Sequence, residues 1–219
     1  MNQADSTPRT AGRGPCGLDA AELALVTEAI ASAERRTSAE IRVAVASAPL
    51  VHPALYRILW AALASLILPW GIIAFASLRP VTVLATQAGC FILLSLLLTW
   101  KPLGSRLVPL AAKRGTARAT ALHLFHAHGI HQTMARNGLL IFVAPHDRLV
   151  ELVADEGVQA AIPRDAWISL CGEVVEKAGR GALGEGLAAA VERAGELLGP
   201  HLPAHPHDQN ELSDRVVIV

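Results

Sequence analysis

Charge is nearly absent from one long stretch of this 219-residue chain: the 43 residues from Ile58 to Trp100 carry a single charged side chain, Arg79, whereas the other 176 carry 37. Core helices of a soluble protein rarely stay free of charge over two consecutive lengths of 21 residues, so the gap argues for lipid. A basic excess is also absent, since 19 Lys and Arg balance 19 Asp and Glu, and a nucleic-acid partner is excluded as the main one. Cysteine is scarce. Cys16, Cys90 and Cys171 lie far apart with no C-x-x-C, which excludes a disulfide framework or zinc ribbon and fits a reducing compartment. The sequence also lacks a P-loop, a G-x-S-x-G and an H-E-x-x-H, which removes the commonest ATPase, serine hydrolase and zinc protease readings.

What is present begins with the two apolar segments, Ile58–Leu78 and Pro80–Trp100, each long enough as a helix to cross the roughly 30 Å hydrocarbon core. The link between them is so short that they are expected to form a transmembrane helical hairpin, over about residues 56–101, contacting the bilayer through 58–78 and 80–100. Tyr56, Trp60 and Trp100 fall where an interface belt would sit. Arg36, Arg42, Arg57, Lys101, Arg106, Lys113, Arg114 and Arg118 flank the pair, against Arg79 alone in the turn, so both ends and the soluble part are expected on the cytoplasmic side of the inner (plasma) membrane. Residues 1–17 are polar, without an apolar h-region, and are expected to be a disordered tail and not a cleavable signal peptide.

On either side of the hairpin the periodicities are those of an α/β domain. Asp19 and Glu22 are spaced as a capping box, with Leu23, Val26 and Ile30 on one helix face, and Ile41, Val43 and Val45 alternate with Arg42 as a strand does. After the hairpin, a helix is expected from about Thr116 to His128 with Leu122 and Phe125 inward. Two short apolar runs, Gly138–Val143 and Leu149–Ala154, should pair antiparallel. Two further helices are expected, one starting at Pro163 and one from about Leu183 to Leu198, then an extended tail over 200–219. Residues 18–50 cannot enclose a core alone, so they and 115–199 are expected to form one split domain interrupted by the hairpin.

Several groups could carry chemistry. Asp155 and Glu156 follow a strand and precede Gly157, a placement that exposes two carboxylates; they could hold a hard cation such as Ca2+ or Mg2+, do acid–base work, or simply be solvated. Arg136 and Asn137, before the other strand, could face a phosphate or carboxylate, or form a solvated loop. His123, His126, His128 and His131 cluster, and His123 and His126 share a helix face; a borderline metal and plain surface histidines are both open there. Gly179 to Gly186 matches G-x-G-x-x-G but follows a helix, not a strand, so its glycines are expected to end one helix and begin the next.

The order of the pieces Thr37-Ser38-Ala39-Glu40-Ile41, Leu124 to Thr133, Asn137 to Ala144, Val153 to Val158 and Asn210 to Arg215 resembles bacterial membrane proteins of the TPM-domain family. The resemblance implies an α/β/α sandwich, and a family in which some members are described as weak acid phosphatases and calcium binders and others as accessory proteins of membrane complexes. Two functions follow as expectations. One is a membrane-anchored accessory or binding factor for assembly or quality control of membrane complexes, with a protein partner and homo-oligomerisation left open. The other is a weak metal-dependent phosphatase in which Asp155 and Glu156 hold the cation and Arg136 steadies the phosphate. No cofactor other than Ca2+ or Mg2+ is implied.

Overall fold

Asp19 starts the first helix, α1 (Ala20–Glu34), in the way its spacing predicts: Asp19 Oδ1 accepts the Glu22 N–H at 2.8 Å, and Glu22 Oε2 accepts the Asp19 N–H at 2.9 Å. The computed structural model describes residues 14, 16–73, 79–99, 107–133, 135–205 and 211–219. It divides into one unit of Met1–Leu50 with Thr116–Val219 and a second of Val51–Gly115. The expected tail over 1–17 lies mostly outside the described residues.

The first unit is a mixed α/β domain on a four-stranded sheet, in the order β3-β2-β1-β4. Strand β1 (Glu40–Val45) runs parallel to β2 (Gly138–Ala144) and to β4 (Val217–Ile218), while β2 and β3 (Leu149–Ala154) are antiparallel, Leu139 facing Ala154. Alternation sorts the side chains of the central strands to two cores. Ile41, Val43, Val45, Leu139, Ile141 and Val143 join the side chains of α1, α6 (Arg164–Gly179) and α7 (Leu183–Leu198). Ala44, Leu140, Phe142 and Ala144 meet Ala117, Ala121, Leu124 and Phe125 of α4 (Leu110–Ala127) on the other face. Covered on both sides, β2 is buried at every residue, which explains its continuous apolar run.

Helix α4 departs from expectation at its start and in its phase. It begins at Leu110, where the Pro109 carbonyl accepts the Lys113 N–H at 3.2 Å, and its inward face is 117/121/124/125, which leaves Leu122 exposed. Between β2 and β3 the chain makes a single 3₁₀ turn, Pro145–Asp147. Asp155, which the sequence places after a strand, is the N-cap of a short helix, α5 (Glu156–Ala161), too brief to show a period in the sequence. Helix α6 ends in a Schellman motif: Gly181 takes φ 80°, its N–H donates to the Ala178 carbonyl at 3.1 Å, and the Ala182 N–H donates to the Lys177 carbonyl at 3.0 Å. The glycines of the G-x-G-x-x-G thus separate two helices. Gly195 of α7 lies so close to α1 that an added Cβ would sit 2.8 Å from Ala33 Cβ.

The second unit contains α2 (Pro53–Ile73) and α3 (Pro80–Leu98), which pack against each other. Trp60 Nε1 donates to the Leu107 carbonyl at 3.0 Å. Among the described residues α3 alone is both long and apolar enough to cross a membrane, with almost none of its residues fully buried; in α2 the apolar stretch with described side chains is Pro53–Leu68. Of the expected pair of spans, one is shown as a candidate helix among the described residues. Residues 74–78, the end of the first expected span, lie outside the described residues, as do Trp100, Lys101 and Arg106.

Candidate functional site

Asp155 and Arg136 meet where β2 begins and β3 ends. The antiparallel ladder delivers Asp155 opposite Gly138, and the Asp155 N–H donates to the Gly138 carbonyl at 2.9 Å. The side chain bends back along the same pairing: Oδ2 accepts the Gly138 N–H at 3.4 Å, and it caps none of the amides of α5 although Asp155 is the N-cap residue. Gly138 is required here, because a Cβ would stand 2.4 Å from the Ile130 carbonyl oxygen and 3.2 Å from Asp155 Oδ2. Arg136 takes the left-handed φ of 48°, and its carbonyl accepts the Gly157 N–H at 3.3 Å. The two loops, each singled out separately in the sequence, are thus pinned backbone to backbone.

Their side chains do not converge to the same degree. Arg136 and Glu156 are exposed, and Arg136 forms no ion pair with Asp155 or Glu156 among the described residues. Asn137 is buried and committed to structure: its Nδ2 donates to the Ser38 carbonyl, its N–H to Thr133 Oγ1 at 3.2 Å, and its carbonyl accepts the Glu40 N–H at 3.2 Å. It ties the starts of β1 and β2 together. No group of three or more His, Cys, Asp or Glu placed to hold a metal occurs among the described residues. Ca2+ takes six to eight oxygens, so Asp155 and Glu156, with one carboxylate already engaged by an amide, fit such an ion only with water supplying most of the shell. A cavity of about 280 Å³ lined by Val143, Pro145, Arg148, Val175 and Gly179 lies at the opposite end of β2 and β3, away from Asp155.

A second polar cluster, passed over in the sequence, lies along the outer edge of β1. Glu40, buried, accepts the N–H groups of Glu211 at 3.3 Å and Leu212 at 3.2 Å, and the Arg42 guanidinium donates to the Ser213 carbonyl. Glu34 Oε1 accepts the Ile41 N–H at 2.9 Å. Burial, followed by the neighbouring charges of Glu40 and Asp214, pushes the Glu34 carboxyl up to about 8, while burial lowers Arg42. The one signal available in the sequence was Glu40 and Arg42 at alternate positions of an otherwise apolar strand. Their partners lie about 171 residues away along the chain.

Fold and site together define a class: a mixed α/β domain interrupted in sequence by an apolar helical insertion, with a pair of carboxylates at a strand end. The family described as the TPM domain matches residues 107–197. The NMR structure of the BA42 protein from the psychrophilic bacterium Bizionia argentinensis sp. nov. is similar over 92% of this chain and 95% of its own, with a TM-score of 0.58 at 19% identity, a likeness of fold. No curated protein matches the chain.

Proposed function

We propose that this chain is a membrane-anchored TPM-domain protein that acts as an accessory or binding factor for membrane complexes, with its α/β unit on the cytoplasmic side. The observation that carries the reading is α3, a 19-residue helix without a charged side chain that leaves Val81, Leu84, Leu93 and Leu96 open to the surroundings. Lipid is the solvent that suits such a surface. Helix α2 packs beside it and supplies a second apolar face, and the basic residues flanking the pair favour the cytoplasmic side. A phosphatase is the weaker reading. Asp155, its central carboxylate, is already engaged by the Gly138 amide, and Arg136 points no ion pair at it.

Alkaline carbonate extraction of membranes from cells expressing the full chain tests the anchor. The full chain should stay in the membrane pellet, and protease added to sealed inside-out vesicles should digest the α/β unit. Quantitative release of the full chain into the supernatant would overturn the reading, and protection of the α/β unit in those vesicles would reverse its orientation.

A further inference from the structure

The histidine-rich stretch of the sequence condenses in the fold into one pair. Helix α4 ends at Ala127, and Gly129, at φ 68°, turns the chain into the 3₁₀ turn Ile130–Gln132, which brings His131 back over the last turn of the helix. The His126 and His131 ring centroids lie 4.8 Å apart with the planes inclined by 41°, and Phe125 borders both. His126 Nδ1 lies 2.7 Å from the Leu122 carbonyl, an acceptor only, so Nδ1 carries the proton and Nε2 is left with a free lone pair. His131 Nδ1 is buried and has no hydrogen-bond partner. Buried polar atoms are nearly always paired, so this one asks for an occupant.

The spacing says which. Two imidazoles bound at about 2.0–2.1 Å to one tetrahedral ion hold their ring centres roughly 5 Å apart, and the observed pair is already there. We propose that His126 and His131 form a two-imidazole site for a borderline divalent transition-metal ion such as Zn2+, Ni2+ or Cu2+, with water completing its shell. The nitrogen donors separate this site from any hard-cation role of Asp155 and Glu156, whose ligands are oxygens. The ion would fasten the 3₁₀ turn to α4. That turn carries the Ile130 carbonyl that abuts Gly138, so the start of β2 would be steadied with it.

The test uses the full chain in detergent, stripped of metal and carrying no histidine tag, titrated calorimetrically with Zn2+ and probed with Cu2+ by electron paramagnetic resonance. One equivalent should bind, with nitrogen hyperfine splitting from two imidazoles. His126→Gln and His131→Gln should each weaken binding on the order of tenfold or more and leave one coupled nitrogen, whereas His123→Gln and His146→Gln should change it by less than about twofold. Circular dichroism and thermal melting without metal establish that each variant is folded. If His131→Gln does not fold, the nitrogen count in the wild type and the His126→Gln titration decide. Zn2+ affinity insensitive to His126 and His131, or a wild-type spectrum with fewer than two nitrogens, would overturn the site.

Discussion

The Glu34 carboxyl closes the outer edge of β1 by accepting the Ile41 N–H at 2.9 Å. Strand β4 pairs with β1 only at Ala44 and Val45, so ahead of it this amide has no strand to bond to, and a side chain from the end of α1 takes the strand's place. The other oxygen, Oε2, is buried without a partner, and so is Arg42 Nε nearby.

The pH dependence of stability follows from that position. Glu34 keeps its proton in the folded chain up to about pH 8, against an ordinary value of 4.5, so the folded state binds more protons throughout that window. Its contribution is complete below the lower value and is lost as pH rises to the upper one. Glu34→Gln retains an acceptor for Ile41 without the charge. Relative to wild type, its Tm should rise from little difference near pH 4 to a gain of a few degrees near pH 9. A difference that is flat across this range would show that Glu34 is not protonated in the fold.

Helix–helix contact at Gly195 sets a second expectation. A Cβ there meets both Cβ and Cα of Ala33, at 2.8 and 3.0 Å, so Gly195→Ala should force α7 from α1 and cost about 1–3 kcal/mol in chemical denaturation. Gly172, in α6, has nothing within 4 Å of its added Cβ, and Gly172→Ala should stabilise by about 0.4–1 kcal/mol. Equal effects of the two would contradict the close approach.

Replacing Asp155 separates structure from chemistry. Asp155→Ala removes the acceptor of the Gly138 N–H, a long bond, and should lower stability by about 0.5–1.5 kcal/mol. Hydrolysis of an aryl phosphate with added Ca2+ or Mg2+ should stay at the buffer rate in wild type and variant alike. A metal-dependent activity present in wild type and lost in a folded Asp155→Ala protein would make the phosphatase the better reading.

Thiol chemistry offers a fourth check. Burial first, and then the charge of Glu151, pushes the Cys171 thiol up to about 11. At neutral pH little thiolate is present, so alkylation by iodoacetamide should run about tenfold or more slower than for free cysteine, as read by peptide mass spectrometry. Labelling at the rate of free cysteine would show a thiol that is not shielded.

The legible parts of the sequence were those with local causes. The capping box at Asp19 and Glu22, the alternation of β1 and the shared inward face of Val26 and Ile30 depend on residues within a few positions of each other, and the antiparallel pairing of Gly138–Val143 with Leu149–Ala154 on the short link between two apolar runs. The phase of α4 was misread because Leu122 and Leu124 offer two apolar stripes, and only the sheet on one side of the helix selects between them. Likewise α5 has too few residues for a period, and the Asp155 carboxylate looked free because its partner, the Gly138 amide, is 17 residues away.

By itself the sequence determined the α/β character, the apolar insertion and the glycines that end α6, since propensity, hydropathy and backbone freedom act along the chain. Tertiary structure alone decided which polar groups are spent on holding the fold and which are left over. Asn137 and Glu40 were drawn into clamps between distant segments, while the chain reversal at Gly129 set His131 against His126. Hydrogen bonding and desolvation act through space, and their partners are chosen only when the chain has closed on itself.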